Sequence, residues 1–446
     1  MEKIWSAEVL ARWCKALTPD AIPDEVYAKA EDCVLDAIGC AIAGYSEKAT
    51  SSVMAVALAQ YRDGPADIWF SSDKRSPVGA ALVNANAVSI LDLDDGHRGA
   101  CGHPGAAVVP AALAVAQETG ASGIDFLTAV ITGYEVCTRI GASENRIAFH
   151  TGNWTGFGAA TAVAMLRGQQ SIEQLANALS ITAYHGPRVA DLTLSADMGT
   201  NVKESIPWSV VTGMTAVELA ANGFTGCRDA LDIDERFKVG FAISDLGIDY
   251  QIMQTYYKRY SACRWIHSAV EGLLQVMKDH DLSAKAIDSV HVETFLQAAS
   301  LNNLADPASP ESAQYSIPYC LGITATKGGA ALMPMSVSCL HDTAAINFAN
   351  KVTVVCNEKL ANCFPTMVPA RLTIKSQSKE YQVFIETPWG EPGGPTNRTD
   401  LTNKFLTLAD NRISSDRAIS IVDAVINLRK NGISQLCELI SGPMEA

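Results

Sequence analysis

The stretch that organises this chain is Leu91-Asp92-Leu93-Asp94-Asp95-Gly96-His97, which continues through residues 98–102 to His103-Pro104-Gly105. It brings three carboxylates, two imidazoles and one guanidinium close together in the sequence. Patterns typical of apolar helices flank it at residues 78–90 and 106–118. Titratable groups between two apolar helices favour a functional site over plain packing. The alternative is an acidic helix end whose aspartates only cap and solvate the chain.

Composition limits the classes of protein to consider. The 446 residues are 48% apolar and 18% charged, so the chain can bury a large core. The net charge of −14, without a cluster of lysine and arginine, argues against a nucleic-acid partner. The acidic and basic residues of the first 18 positions argue against a signal peptide, and no apolar run is long enough for a membrane span. The twelve cysteines form no C-x-x-C pair, which favours reduced core residues in a cytoplasmic protein.

The periodicity of the chain predicts two kinds of structure. Residues 1–275 are predicted as helix after helix, and residues 399–446 return to helices at 401–409, 416–428 and 433–440. Between them, residues 286–295 and 352–355 are predicted strands, and 371–375 with 381–387 a hairpin. We therefore predict a mainly α fold: a large, discontinuous all-helical domain that carries a smaller α+β lid domain at residues 276–398.

Five motifs resemble those of the 2-methylcitrate dehydratase (MmgE/PrpD) family, which includes cis-aconitate decarboxylase and iminodisuccinate epimerase. In chain order they are Asp92-Leu93-Asp94-Asp95 with His103-Pro104-Gly105, Phe149-His150-Thr151, Asn201-Val202-Lys203-Glu204-Ser205, Tyr260-Ser261-Ala262-Cys263-Arg264 with His267, and Ala313-Gln314-Tyr315-Ser316-Ile317-Pro318-Tyr319. The family fold is a helical domain with an α+β lid, in agreement with the pattern of the chain. The loop from Asp92 to His103 is one residue longer than in the decarboxylase, and Gly96 stands where that enzyme has a hydroxyl residue.

The resemblance implies a set of site residues. The predicted catalytic residues are His103, His150, Lys203 and Tyr319. The predicted substrate-binding residues are Asp92, His97, Arg264 and His267. The resemblance further implies a homodimer formed through the helical domain and an active site without cofactor or metal, although two adjacent aspartates near histidines also suit a divalent cation.

The residue types fit these roles. His103 precedes Pro104, which keeps it in a loop, and its imidazole can exchange protons near neutral pH. Lys203 suits a base or a partner for a substrate carboxylate, and Arg264 suits a bidentate carboxylate anchor. Each has a structural alternative: an exposed loop imidazole, a solvated lysine and, for Tyr319, a buried core phenol.

The family's chemistry begins with loss of a proton from carbon next to a carboxylate. The length and lid sequence are most similar to iminodisuccinate epimerase, so we expect a cofactor-independent epimerase of that polycarboxylate. It would abstract a proton and return one on the opposite face. Dehydration of 2-methylcitrate and decarboxylation of cis-aconitate are the alternatives. A helical protein that binds a metabolite without turnover is the non-enzymatic alternative.

Overall fold

The computed structural model describes residues 4–145, 150–168, 171–188, 195 and 197–445. It is mainly helical, as predicted. Before the lid, the helices are Ser6–Ala16, Asp24–Gly44, Lys48–Gln60, Pro77–Ser89, Gly105–Thr119, Gly123–Ser143, Gly152–Arg167, Ile172–His185 and Ile206–Ala221. Short two-residue strands pair Ala66–Asp67 with Lys74–Arg75 and Gly96–His97 with Thr255–Tyr256. None of the described helices combines the length and the apolar character needed to cross a bilayer.

Small residues allow the central helices of this body to approach closely. A Cβ atom on Gly158 would lie 2.8 Å from the Gly133 carbonyl oxygen, and one on Gly213 would lie 2.2 Å from the Gly156 carbonyl oxygen. Larger side chains would force these backbones apart, because interiors are packed to crystal-like density. The Gly-Ala-rich segment that begins at Gly156 therefore serves helix packing within the body.

The C-terminal helices are Arg398–Ala409, Ser415–Ile426, Leu428–Asn431 and Ser434–Ile440. The first begins at a capping box formed by Asn397 and Asp400, which extends it further toward the N-terminus than periodicity predicts. Its buried Leu401, Phe405 and Leu408 share one apolar core with the helices that precede the lid. The helical domain is thus discontinuous in sequence, as predicted.

The lid contains the helices Arg264–Asp279, Leu296–Ala299, Pro310–Ala313, Ile317–Lys327, Thr343–Ala349 and Glu358–Ala361. Its sheet has the order Val352–Cys356, Ser289–Thr294, Ala370–Ser376, Lys379–Ile385. The first pair is parallel and the other pairs are antiparallel. The predicted hairpin is formed by the last two strands, and Gln377 adopts a left-handed φ of 56° in its turn.

Packing separates the chain into two apolar cores. One holds the buried residues of the helical body, including Tyr257, while the other begins at Tyr260 and extends to Ile374, with Cys101 and Met198 added from the body. The helix Arg264–Asp279 packs in this second core, so packing groups residues from Tyr260 onward with the lid. The limits of the domains at residues 275 and 398 stay a prediction.

A turn follows the short strand Ala66–Asp67. Phe70 has a left-handed φ of 59° in this turn. The Phe70 amide donates to the Ile440 carbonyl at 2.7 Å. Contact with the C-terminal helix therefore sets this backbone, and a local pattern contains no information about that contact.

Candidate active site

The Asp92 carboxylate lies at the centre of a buried group of charges. Its Oδ1 atom is 3.0 Å from Lys258 Nζ, 3.6 Å from Lys203 Nζ and 3.6 Å from His103 Nε2. We call these four residues the Asp92 cluster. Asp92 itself follows the helix Pro77–Ser89 and has a φ of 53°, a left-handed conformation that is costly for a residue with a side chain. The surrounding contacts must hold this turn in place.

Lys203 enters the cluster from a strained turn. Lys203, Glu204 and Ser205 have φ values of 38°, 54° and 59° in succession, just before the helix Ile206–Ala221. Glu204 stabilises the turn because its Oε2 accepts a hydrogen bond from the Thr151 amide at 3.0 Å and another from the Thr151 hydroxyl. Lys203 Nζ donates to Gln314 Oε1 at 3.1 Å and lies 5.5 Å from the centre of the Tyr315 ring. A lysine from the body thus meets two side chains of the lid.

Lys258 was not predicted as a site residue. It lies between the strand Thr255–Tyr256 and the helix Arg264–Asp279, and none of its surface is exposed. Its ammonium forms the shortest ion pair of the Asp92 cluster, yet makes no hydrogen bond of good geometry with a described residue. Burial of a lysine is costly unless the charge is paired. The available signal was a lysine within the aromatic run Tyr256-Tyr257-Lys258-Arg259-Tyr260, which predicts burial but no role.

His103 is oriented by the backbone of the same loop. Its Nδ1 donates to the Asp95 carbonyl oxygen at 2.7 Å, which leaves Nε2 facing Asp92. The Asp95 carboxylate accepts from the Gly105 amide at 3.0 Å and from the Tyr134 hydroxyl at 2.6 Å. It therefore fixes the start of the helix Gly105–Thr119 next to the imidazole. The structure brings His103, Lys203 and Asp92 together, and their catalytic and binding roles stay predictions.

The three aspartates of the motif differ in their ionisation. Burial alone would raise the pKa of Asp92, but Lys203, Lys258 and His103 outweigh it and hold that pKa below its ordinary value. Burial raises the pKa of Asp94, and neither of its carboxylate oxygens has a hydrogen-bond partner among the described residues. Burial, followed by the charge of Asp36, raises the pKa of Asp95 to about 7. The ionised Asp92 therefore lies between two lysine side chains, which place fixed positive charge where an anionic ligand would bind.

Three donors of the site also satisfy the spacing of a metal centre. Asp92, Asp94 and His103 each offer a ligand atom within 4.8 Å of the others. Two lysine ammoniums compete for the same Asp92 oxygen, however, and His103 Nδ1 already donates to a carbonyl. A divalent cation would meet two positive charges at close range. The donor set therefore fits a metal poorly, and the expected absence of one stays a prediction.

His150 and His97 do not join the Asp92 cluster. His150 Nε2 contacts Glu144 Oε2, and the other oxygen of that carboxylate, Oε1, lies 3.6 Å from Arg236 Nη2. Phe149 of the same motif lies outside the described residues. His97 is buried, and its Nδ1 accepts from the Ala100 amide at 3.1 Å. Burial lowers the pKa of His97 to about 4, so the ring is neutral near pH 7. The geometry therefore assigns His97 to loop structure and does not support the predicted substrate contact.

Arg264 is occupied elsewhere as well. Its Nη2 lies 2.6 Å from Glu391 Oε1, and its guanidinium donates to the backbone carbonyls of Tyr257 and Pro388 at 3.1 and 3.2 Å. Arg98 Nη2 contacts the same glutamate oxygen. We call Arg98, Arg264 and Glu391 the Glu391 cluster. These partners use both terminal nitrogens of the guanidinium, while its buried Nε has no hydrogen-bond partner among the described residues. The predicted role of Arg264 as a carboxylate anchor stays a prediction.

His267 is also a buried structural histidine in this geometry. Its Nε2 donates to the Ala262 carbonyl at 3.1 Å, and its ring lies 5.1 Å from the Tyr260 ring. Burial, followed by the charges of Arg264 and Lys258, holds the pKa of His267 well below its ordinary value. A neutral imidazole bonded to its own loop is a weak partner for a substrate carboxylate.

The lid tyrosine nearest the cluster is Tyr315, not the predicted Tyr319. Tyr319 lies on the helix Ile317–Lys327, and its hydroxyl donates to the Cys339 carbonyl within the lid. Tyr315 precedes that helix, and its ring lies beside Lys203. Burial, followed by the charges of Asp92 and Glu204, holds the pKa of Tyr315 well above its ordinary value. In the structure, Tyr315 lies beside Lys203, whereas the Tyr319 hydroxyl is bonded within the lid; the catalytic role of Tyr319 stays a prediction.

Comparisons with known proteins agree with this architecture. The family described as MmgE/PrpD N-terminal domain matches residues 8–245, and that described as MmgE/PrpD C-terminal domain matches residues 260–428. Two cis-aconitate decarboxylases of Aspergillus terreus are 25% and 24% identical over 98% of this chain and 96% of their own length. A cis-aconitate decarboxylase-like protein of Aspergillus oryzae is 22% identical over 98% of this chain and 97% of its own length. This chain therefore belongs to the MmgE/PrpD family.

Proposed function

We propose that this protein is an enzyme that forms a carbanion next to a carboxylate of a small polycarboxylate and needs no cofactor to do so. The observation that carries the proposal is the Asp92 cluster, in which two buried lysines and a histidine surround one carboxylate oxygen. The cis-aconitate decarboxylases among the relatives act on a tricarboxylate, which supports the same class of substrate here.

The chemistry explains why such a cluster is useful. A proton next to a carboxylate is weakly acidic, because its loss places a second negative charge on that carboxylate. Fixed positive charge in a site without bulk water stabilises this enediolate-like state most strongly. Lys203 and Lys258 supply that charge, and their positions are set before substrate arrives by Asp92 and Gln314.

Two groups are suited to move the proton. Since His103 Nδ1 donates to the Asp95 carbonyl, Nε2 is the ring atom that takes the proton as the base. Lys203, which enters from a separate turn, returns a proton as the acid. Asp92 holds both side chains through the same oxygen. Tyr315 lies beside Lys203 and can donate a hydrogen bond to the developing charge.

The specific reaction that we propose is epimerisation of iminodisuccinate. Inversion at carbon needs a base and an acid that reach the carbon from different sides. His103 and Lys203 are a base and an acid of suitable type, and they come from two separate segments of the chain that meet at Asp92 Oδ1. The similarity in length and lid sequence to the family's epimerase supports this substrate.

Decarboxylation of cis-aconitate is the second candidate, and the Aspergillus terreus relatives favour it. In that reaction the bond to carbon dioxide breaks in place of a C–H bond, and the same lysines would stabilise the carbanion before an acid protonates it. Gly96 provides no side-chain hydroxyl in the loop beside His97, so substrate contacts there must come from other residues.

Proton NMR in deuterated water distinguishes these activities. With one stereoisomer of iminodisuccinate, we expect deuterium at the α carbon and a second diastereomer without an alkene signal. With cis-aconitate, release of carbon dioxide would identify a decarboxylase, and with 2-methylcitrate a new alkene would identify a dehydratase. Thermal stabilisation by these compounds without any turnover would contradict the enzymatic proposal and indicate a binding protein.

We also propose that the protein is a homodimer formed through its helical domain. Large apolar side chains are exposed on that domain at Tyr184, Trp208 and Phe224. Exposed apolar groups of this size favour burial in an interface. Size-exclusion chromatography with light scattering should give twice the mass of the chain, and a monomer at micromolar concentration would contradict the proposal. The cytoplasmic location stays a prediction as well.

A further inference from the structure

A buried lysine of the C-terminal helices contacts the loop that carries Asp92. Lys404 lies on the helix Arg398–Ala409 and is 4% exposed. Its Nζ donates to Asp36 Oδ1 at 2.6 Å and to the Leu93 carbonyl oxygen at 2.8 Å. Leu93 directly follows Asp92, whose left-handed φ of 53° must be held by its surroundings. Lys404, which follows Leu93 by 311 residues in the chain, therefore restrains the strained turn at Asp92.

The partner of Lys404 restrains the other end of the same motif. Asp36, on the helix Asp24–Gly44, accepts from Lys404 and also faces the Asp95 backbone amide, which favours the charged form of its carboxylate. The carbonyl of Asp95 accepts from His103 Nδ1 at 2.7 Å. The ion pair is thus connected through two backbone groups to the carboxylate and to the imidazole of the Asp92 cluster.

We infer that the Lys404–Asp36 ion pair positions Asp92 and His103, so that the helix after the lid is a working part of the active site. The inference rests on the proposed function for what the positioned groups do. Lys404 is a positioning residue and not a catalytic one, because its ammonium is used by Asp36 and Leu93.

A purely stabilising role explains this pair less well. The desolvation cost of a buried ion pair often cancels its attraction, so an apolar pair of the same volume would stabilise the two helices equally. An apolar pair, however, has no polar atoms with which to hold the Leu93 carbonyl or the Asp95 amide in a fixed position. Displacement of a catalytic group by about 1 Å is sufficient to cost roughly 100-fold in rate.

The chain offers a matched control on the same two helices. Arg398 pairs with Asp32 at 2.6 Å and Glu31 at 2.9 Å, and it donates to the Ala28 carbonyl. It thus joins the helix Arg398–Ala409 to the helix Asp24–Gly44 as Lys404 does, but its partners Glu31, Asp32 and Ala28 all lie outside the Asp92 loop. The variants to compare are Lys404→Met and Arg398→Met, with the double variant Asp36→Asn/Lys404→Met to avoid an unpaired buried carboxylate.

Two measurements are made on each folded variant: kcat with the substrate found by NMR, and the ring ¹⁵N shifts of His103, assigned by the signal lost in His103→Gln. We expect kcat to fall about 100-fold in both Lys404 variants and less than about threefold in Arg398→Met. We also expect the His103 titration to move in the Lys404 variants alone, because Asp92 no longer holds its place beside Nε2.

The result that overturns the inference is an unchanged kcat and an unchanged His103 titration in the folded double variant. Equal losses in the Arg398 and Lys404 variants would overturn it too, since they would indicate general loosening of the helix. If wild-type protein turns over none of the polycarboxylates, the proposed function fails, but the His103 titration still decides whether Lys404 positions the imidazole.

Discussion

Two groups of charge in this protein, the Asp92 cluster and the Glu391 cluster, each place at least two basic side chains against one carboxylate oxygen. In the Glu391 cluster both arginines are also bonded to backbone carbonyls, although Arg264 Nε and Arg98 Nη2 make no hydrogen bond of good geometry with a described residue. In the Asp92 cluster the Lys258 ammonium makes no hydrogen bond of good geometry with any described residue. The Glu391 cluster joins the lid to the body, and the Asp92 cluster is the one that we propose to meet the substrate. Residue type alone therefore does not separate a candidate ligand site from a structural contact.

Of the substitutions that test this comparison, replacement of Lys258 should have the largest effect on catalysis. Lys258→Met removes a positive charge aimed at the developing enediolate, and we expect kcat/KM to fall about 1,000-fold. Steady-state kinetics measures the loss, with circular dichroism to show that the variant is folded. Lys351→Met is the control, because Lys351 donates to the Ile287 carbonyl in the lid and should leave turnover unchanged. A loss smaller than about tenfold would remove Lys258 from the proposed mechanism.

His97 should affect stability at low pH and not catalysis. The folded protein binds the His97 proton more weakly than the unfolded chain, with a pKa of about 4 against an ordinary 6.5. Stability from the neutral ring is therefore complete above pH 6.5 and is lost as the pH falls toward 4, by roughly 3 kcal/mol. His97→Asn keeps an acceptor for the Ala100 amide and should flatten this loss in denaturation curves measured from pH 7 to 4. An equally steep loss in the variant would contradict the assignment.

Breaking the Glu391 cluster should weaken the fold more than the chemistry. Arg264→Met leaves Glu391 with Arg98 as its remaining arginine partner, and we expect a loss of about 2–3 kcal/mol in the free energy of unfolding, reduced because Glu391 is partly exposed. Urea denaturation measures the change. The double variant Arg264→Met/Glu391→Gln should recover most of the stability. If Arg264→Met instead raises KM about 100-fold with stability unchanged, Arg264 is a substrate anchor as the sequence predicts.

The two lid tyrosines provide a smaller test of the same distinction. Tyr315→Phe should lower kcat about tenfold, since it removes one hydroxyl beside Lys203. Tyr319→Phe should leave kcat unchanged and cost about 1 kcal/mol of stability, since it removes one hydrogen bond to the Cys339 carbonyl. Kinetics and thermal denaturation of both variants, measured together, would show the reverse pattern if the sequence-based assignment of Tyr319 is right.

The smallest expected effect is that of metal removal. We expect dialysis against a chelator to leave kcat unchanged, because Lys203 and Lys258 already supply positive charge at the donor triad. Loss of activity that returns with one divalent metal would show that the lysines do not act alone.

Sequence patterns predicted the fold well because helical periodicity and the return of helices after residue 399 are local signals. The boundaries moved where caps intervene, as at Asn397, which starts a helix before its first apolar residue. Three of the predicted site residues, Asp92, His103 and Lys203, lie together in the structure, and their roles stay predictions. Other contacts of the predicted residues depend on distant parts of the chain. Arg264, for example, pairs with Glu391, which lies 127 positions away, and no local pattern predicts that partner.

Lys258 and Tyr315 show a second limit of sequence analysis. Lys258 lies in an aromatic run with no catalytic pattern, and its importance follows only from the folded position of Asp92. Tyr315 precedes the helix that starts at Ile317, and Tyr319 lies in its first turn. Only the contacts of the folded chain, Tyr315 with Lys203 and Tyr319 with Cys339, show which of the two phenols meets the body. Sequence patterns do not predict which side chains meet when their contact is set by distant parts of the fold.

The place of the C-terminal helices in the core has a consequence for how the protein is made. During synthesis the helices before the lid leave the ribosome first, and the lid follows as a unit with its own core. The helices after the lid, among them the one that contains Lys404 and Phe405, emerge after both, although that helix packs in the core around Asp36 and contacts the loop after Asp92. The nascent chain thus has an exposed apolar groove until its final helices arrive, and ribosome-bound intermediates should depend on chaperones until that point.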